Sequence, residues 1–294
     1  MPFPAFPIPR RPLRAALALA LAAPLHAQTP APTPAAAPEE GAPPYADMAD
    51  LLLASPVVAD ATVRRAARIK GAEAAGAPAG AQRFYLEADL GALIRSPGAL
   101  PSRVGYLFDV PLDARGRPPK IKGARVLLFA RPVPGAADQL QLSAPDAQLP
   151  WTPAADARAR RIARELAAAD APPAVTGVGD AFHVPGALPG EGETQVFLRT
   201  ADARPVSVTV LRRPGEERRW AVALSEIVDE AAGPPGPDTL LGYRLSCGLP
   251  PALPPESTAR LGEADAARAR EDYAFVLGRL GPCGRTRAPV SPAR

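Results

Sequence analysis

The chain has 294 residues, 40 of them proline, with a formal charge of +4 and an isoelectric point near 9.4. That basic balance does not describe a nucleic-acid binder. Arg10, Arg11 and Arg14 at one end and Arg285, Arg287 and Arg294 at the other leave residues 28–284 at −2, so no broad positive field draws in phosphates. Only Lys70, Lys120 and Lys122 are lysines, and the many Ala, Arg, Gly and Pro residues fit GC-rich coding. The arginine excess therefore carries no functional weight by itself.

Residues 1–27 have the three parts of a secretory signal. Arg10, Arg11 and Arg14 form a basic start without acids. Residues 15–25 are an Ala/Leu run, too short to span a bilayer. Leu25-His26-Ala27 then places a small residue at a cleavage point after Ala27. Arg10-Arg11 is a partial twin-arginine pattern, but Pro9 stands where Ser or Thr is usual, so the general secretory route is favoured. No cysteine lies near the cleavage point to take a lipid anchor, and no later apolar run reaches the length of a membrane span. The expectation is an exported, periplasmic protein with no transmembrane segment in the mature chain.

Residues 28–45 read as a Pro/Ala-rich linker that cannot bury a core. Residues 46–151 read as a β-rich domain. After Leu51-Leu52-Leu53 and Val57-Val58, the segments 83–94, 103–112 and 139–144 alternate apolar and polar residues, the period of a half-buried strand. Residues 113–118 are a polar turn, and 125–130 a continuous apolar strand. About five short strands imply a small barrel or sandwich. Lys122-Gly123-Ala124-Arg125-Val126-Leu127-Leu128-Phe129 resembles a strand of exported OB-like barrels, which makes an OB-like barrel the implied fold.

Residues 152–284 read as an α+β domain. Thr152 is a good N-cap with Pro153 at the first helical position, and Ala155, Ala159, Ile162 and Leu166 share one helix face. Arg158, Arg160, Arg161 and Arg164 lie largely elsewhere and read as a solvated face. Residues 177–192 read as a Gly/Pro-rich loop. Residues 194–200, 206–211 and 220–227 follow as an antiparallel meander. A C-terminal helix is predicted over residues 263–280, with Ala266, Ala269, Tyr273, Val276 and Leu280 as its apolar stripe and Gly281-Pro282 as its stop. Residues 285–294 read as a disordered tail. Cys247 and Cys283 are the only cysteines, and in an exported chain such a pair is expected to bridge. Chain-entropy reasoning credits a loop of this length with roughly 3–4 kcal/mol.

The chain is similar to uncharacterised exported proteins of GC-rich Gram-negative bacteria. The segments that carry the resemblance are Val175-Thr176-Gly177-Val178-Gly179-Asp180-Ala181-Phe182-His183-Val184-Pro185-Gly186, Gly190-Glu191-Gly192-Glu193-Thr194-Gln195-Val196-Phe197-Leu198, and residues 220–229. It covers most of the mature chain. It implies a family and no activity.

Chemistry has few places to sit. His183 is the one histidine outside the signal, so any histidine-dependent mechanism must use it. Asp180 could orient it, Glu193 could act beside it, and Thr194 could serve as nucleophile; Glu191 lies in the same stretch. No Gly-x-Ser-x-Gly elbow supports a serine triad. No cofactor is expected: Gly177-Val178-Gly179 runs into Asp180 rather than a third glycine, and no Walker-type loop is present. One histidine and two distant cysteines make a poor zinc set, and no calcium-loop pattern occurs. Glu226, Asp229 and Glu230 could pair with Glu193 as glycosidase carboxylates but read more simply as a solvated edge. Trp151 and Trp220 sit in core-like patterns. The favoured function is therefore non-catalytic: binding or assembly in the envelope, with a small ligand or another envelope protein as partner. The alternative is a periplasmic hydrolase using His183 with Asp180 and Glu193. A surface for a protein partner would show as a contiguous exposed apolar patch.

Overall fold

The computed structural model describes residues 41–224 and 233–289. The expected signal with Ala27, nearly all of the Pro-rich linker, and Glu226, Asp229 and Glu230 lie outside the described residues. The fold is α+β: a five-stranded barrel, an antiparallel sheet and four helices.

Helix α1, Tyr45–Ala54, starts directly after Pro44. This corrects the expectation of linker followed by strand. Tyr45, Met48, Ala49 and Leu52 recur at helical spacing and are all buried. The Leu51-Leu52-Leu53 triplet hides that period, because it gives the stretch an apolar residue on every side.

The barrel follows. Its strands are β1 (Val57–Arg68), β2 (Ala81–Arg95), β3 (Arg103–Pro111), β4 (Arg125–Val133) and β5 (Ala136–Leu142). They pair in the order β1-β2-β3-β5-β4, and β4 returns to β1 to close the ring. All pairings are antiparallel except β3 with β5. Of the small barrel or sandwich expected from the sequence, the barrel is the one observed. Val57, Ala61, Val63, Leu86, Val104, Tyr106 and Leu128 fill it from alternate strand positions. Closure is uneven. β3 meets β5 at a single register point, Gly105 opposite Gln139, so its end as far as Pro111 has a strand neighbour only in β2. β5 covers β4 from Ala130 to Val133, and a short strand β6 (Gln148–Pro150) takes over along Val126 to Leu128. The wall is open between the end of β3 and β6.

Helix α2, Pro153–Ala167, has the predicted cap: Thr152 Oγ1 accepts from the Ala155 amide at 3.0 Å. Ala155, Ala159 and Ile162 are buried as expected. The arginines pair within the molecule. Arg158 is buried and reaches Asp238 at 3.2 Å, and Arg160 binds Asp156 at 2.8 Å.

The second sheet comprises β7 (Val175–Pro185), β8 (Gly192–Thr200), β9 (Val206–Arg212) and β10 (Arg219–Ala223), in the order β10-β9-β8-β7 and antiparallel throughout. Three strands are the expected meander, although the described part of the third ends at Ala223. The fourth, β7, replaces most of the predicted loop. A bulge between Val178 and Ala181 interrupts the alternation there, so the inward set Val178, Ala181 and His183 lacks a period-2 signature. Helices α3 (Leu240–Gly248) and α4 (Glu263–Leu280) cover one face. Val196, Val208, Val210 and Trp220 meet Leu245, Ala269, Tyr273 and Val276 in that layer.

Cys247 at the end of α3 and Cys283 beyond α4 sit at disulfide-bonding distance, with Cα atoms 4.7 Å apart. Gly281, at φ 73°, turns the chain out of α4 towards Cys283. Residues 285–287 correct the expected disordered tail. Arg285 forks onto Asp50 at 2.6 and 3.0 Å, the Thr286 amide donates to Asp47 at 3.0 Å, and Arg287 donates to Asp146 at 2.9 Å. Asp47 and Asp50 are both buried on α1. Tyr243 of α3 also donates to Asp50, and burial together with that carboxylate pushes the phenol up to about 12. A third apolar layer holds α1, α2 and α3 against Val58, Leu127 and Phe129 of the barrel. Among the described residues, no helix is long and apolar enough to cross a membrane.

Candidate ligand-binding site

Strand alternation divides the residues proposed around His183. His183 on β7 points inward and is 9% exposed, and it faces Thr194 on β8 in register. Asp180, beside the bulge, is 50% exposed and pairs with Arg260 at 3.4 Å. Glu193 precedes Thr194 on β8 and is exposed on the opposite face. Glu191 accepts from the Leu188 amide at 3.2 Å within its turn. The structure brings His183 and Thr194 together and leaves Asp180 and Glu193 apart from them.

The inward pair belongs to a buried network. Thr194 Oγ1 donates to Asp272 Oδ2 at 2.6 Å. Its one proton is thereby committed, so the 2.8 Å contact with His183 Nδ1 has the ring N–H donating to the hydroxyl. That arrangement places a proton on Nδ1. Burial is the main cause holding His183 below its usual range, against the opposing pull of Asp272 and Asp265. Asp272 accepts in addition from Arg212 Nε at 2.8 Å, and Arg212 also lies 3.2 Å from Glu271. Thr194 and Asp272 are both 0% exposed. A substrate cannot reach that hydroxyl, and the network ties the second sheet to α4. Asp272 and Arg212 were not foreseen, although one signal was present: Asp272 interrupts the apolar stripe of α4 between Ala269 and Val276. A charge at such a position requires a buried partner.

The opening in the barrel wall forms a cleft of about 570 Å³. Phe108, Val110, Ile121, Val126 and Leu149 give it apolar walls. Most charges at its edge are neutralised. Arg83 holds Asp109 through two bonds of 2.7 Å. Asp60 holds Arg125 at 2.9 and 2.6 Å, and the Arg125 guanidinium lies 3.5 Å over the Trp151 ring. Arg287 is matched by Asp146. Lys120 has no ion-pair partner among the described residues. The size falls within the range of small-molecule sites, and apolar walls with a few placed charges are their usual chemistry.

Elsewhere, the outer face of the second sheet exposes Phe182, Val184, Phe197 and Leu211, with the Phe182 and Phe197 rings edge to face at 5.9 Å. Among the described residues, no group of three or more His, Cys, Asp or Glu side chains is placed to hold a metal ion. Comparison with protein-family models and with curated proteins gave no match.

Proposed function

We propose that the protein is a non-catalytic binding protein of the bacterial periplasm, exported by its N-terminal signal and cleaved after Ala27. Its ligand has an apolar body and an anionic group, and it binds in the barrel cleft. On the sequence segments quoted above, it is a relative of exported proteins of GC-rich Gram-negative bacteria. The observation that carries the reading is the cleft's charge pattern: apolar walls, three ion pairs already closed, and Lys120 as the spare cation. A ligand that buried only apolar surface would leave Lys120 idle, whereas an anionic end placed beside it gains a charge-assisted contact. The bridged cysteine pair suits an oxidising compartment.

The test uses the dye anilinonaphthalene sulfonate, which has this combination of aromatic body and anion. Titration followed by fluorescence should give saturable binding. Lys120→Glu should weaken it by about tenfold, the loss of one charge-assisted contact, and Ile121→Asp should weaken it by at least as much, because it replaces an apolar wall by a carboxylate facing the ligand's anion. Affinity unchanged from that of the unsubstituted protein in both variants would remove the cleft as the site. For the compartment, the intact mass of protein recovered from the envelope fraction should begin at Gln28; a full-length mass would overturn the export reading.

A further inference from the structure

A second cleft, of about 440 Å³, lies where the end of β9 and the turn before β10 meet the last turns of α4. It differs from the barrel cleft in kind. Arg212, Arg213, Arg218 and Arg279 line it, with Phe275 among them. Two of these guanidiniums are set against one ring: Arg218 lies 4.5 Å and Arg279 5.7 Å from the Phe275 centroid. A third, Arg212, is only 14% exposed and is fixed from behind by buried Asp272 and by Glu271. Ring stacking and buried ion pairs hold these side chains in place before any ligand arrives, so less rotamer freedom is lost on binding.

The charge is unbalanced. Glu271 and Asp272 answer Arg212 and Arg218, and Glu271 also takes Arg268 at 2.9 Å. Glu216 lies 3.5 Å from Arg219 and faces outward with Glu217 at the rim. Arg213 and Arg279 have no carboxylate partner among the described residues. With Arg212 and Arg218 answered by Asp272 and Glu271, and Glu216 by Arg219, the lining keeps Arg213 and Arg279 as two open guanidiniums against Glu217, enough to hold the oxygens of one phosphate group. Planar guanidinium forks match the oxygens of such a group in pairs. The cleft is polar and open on one side, which suits a small oxyanion more than an apolar chain.

We infer that this arginine cleft binds a phosphate group, with Arg213 and Arg279 as the contacting residues and Arg212 as the fixed floor. The inference stands apart from the barrel cleft and does not depend on it. The shared chemistry is a phosphate monoester, and it could arrive free or as a lipid headgroup. The experiment measures binding of inorganic phosphate by calorimetry to the full mature protein. It also measures co-sedimentation with phosphatidylcholine vesicles with and without phosphatidic acid. Arg213→Gln, Arg279→Gln and Arg64→Gln are compared; Arg64 is an exposed barrel arginine and serves as the charge-matched control. The expected result is saturable binding that each cleft variant weakens by about tenfold, the scale of one lost charged hydrogen bond, with Arg64→Gln unchanged. Binding of free phosphate supports a soluble ligand. Binding only to vesicles containing phosphatidic acid supports a headgroup. No saturable binding in either arm, or an equal loss in Arg64→Gln, overturns the proposal. All three positions are exposed, so the variants should fold, and unchanged circular dichroism checks that they do.

Discussion

Asp272→Ala is the substitution whose effect the structure specifies most closely. The carboxylate is fully buried, accepts from Thr194, and is bonded by Arg212. Removing one member of a buried ion pair leaves the other charged and uncompensated, at a loss of about 3–5 kcal/mol. Here Arg212 keeps a second carboxylate, Glu271, at 3.2 Å, which sets the expected loss at the lower end, about 3 kcal/mol. For a chain of this size that corresponds to a midpoint lowered by roughly 6–12 °C. Urea unfolding followed by tryptophan fluorescence reads it directly, because Trp220 lies in the layer beneath the same sheet. Arg212→Ala and the double variant complete a cycle, and the coupling should be about 1.5 kcal/mol or more. A loss for Asp272→Ala below about 1 kcal/mol, or strict additivity in the cycle, would refute the view that this pair joins the sheet to α4.

Three further outcomes are expected. At Gly105 a Cβ would collide with the Tyr85 hydroxyl and lie 2.9 Å from Gln139 Oε1, two groups already hydrogen-bonded to each other; Gly105→Ala should destabilise by about 1–3 kcal/mol through overpacking, measurable by urea denaturation. Burial holds His183 in the folded protein below its ordinary value of 6.5. As the pH falls below that value the unfolded chain takes up the proton first, and stability drops; His183→Asn should flatten this part of the stability profile between pH 7 and 5, and an unchanged slope would argue against it. Reducing the Cys247–Cys283 bridge should cost roughly 3–4 kcal/mol, read as a lower denaturation midpoint in the presence of reductant.

Much of the fold was legible from the chain because its strands and helices are locally consistent. The alternation through Phe84, Leu86 and Ala88 and the Thr152-Pro153 cap both encode their outcomes in adjacent residues. What escaped was structure that breaks its own period. The bulge beside Asp180 disguised β7 as a loop, and the triple leucine disguised α1 as a strand. The site was legible only in part. His183 beside Thr194 could be guessed from closeness in sequence, but Asp272 lies 78 residues from Thr194, and nothing local pairs them. The barrel cleft depends on where β5 leaves β4 for β6, a property of register that composition does not report.

The contacts of residues 285–287 with α1 have a consequence for the order of assembly. Arg285 and Thr286 bind Asp50 and Asp47 across 235 and 239 residues of sequence. A chain made N-terminus first has these two carboxylates long before their partners. Until then α1 has two acidic groups that the finished core would not tolerate unpaired. Helix α1 is therefore not fully secured until residues 285 and 286 have been made, and the segment between can begin to fold before the latch that holds α1 closes.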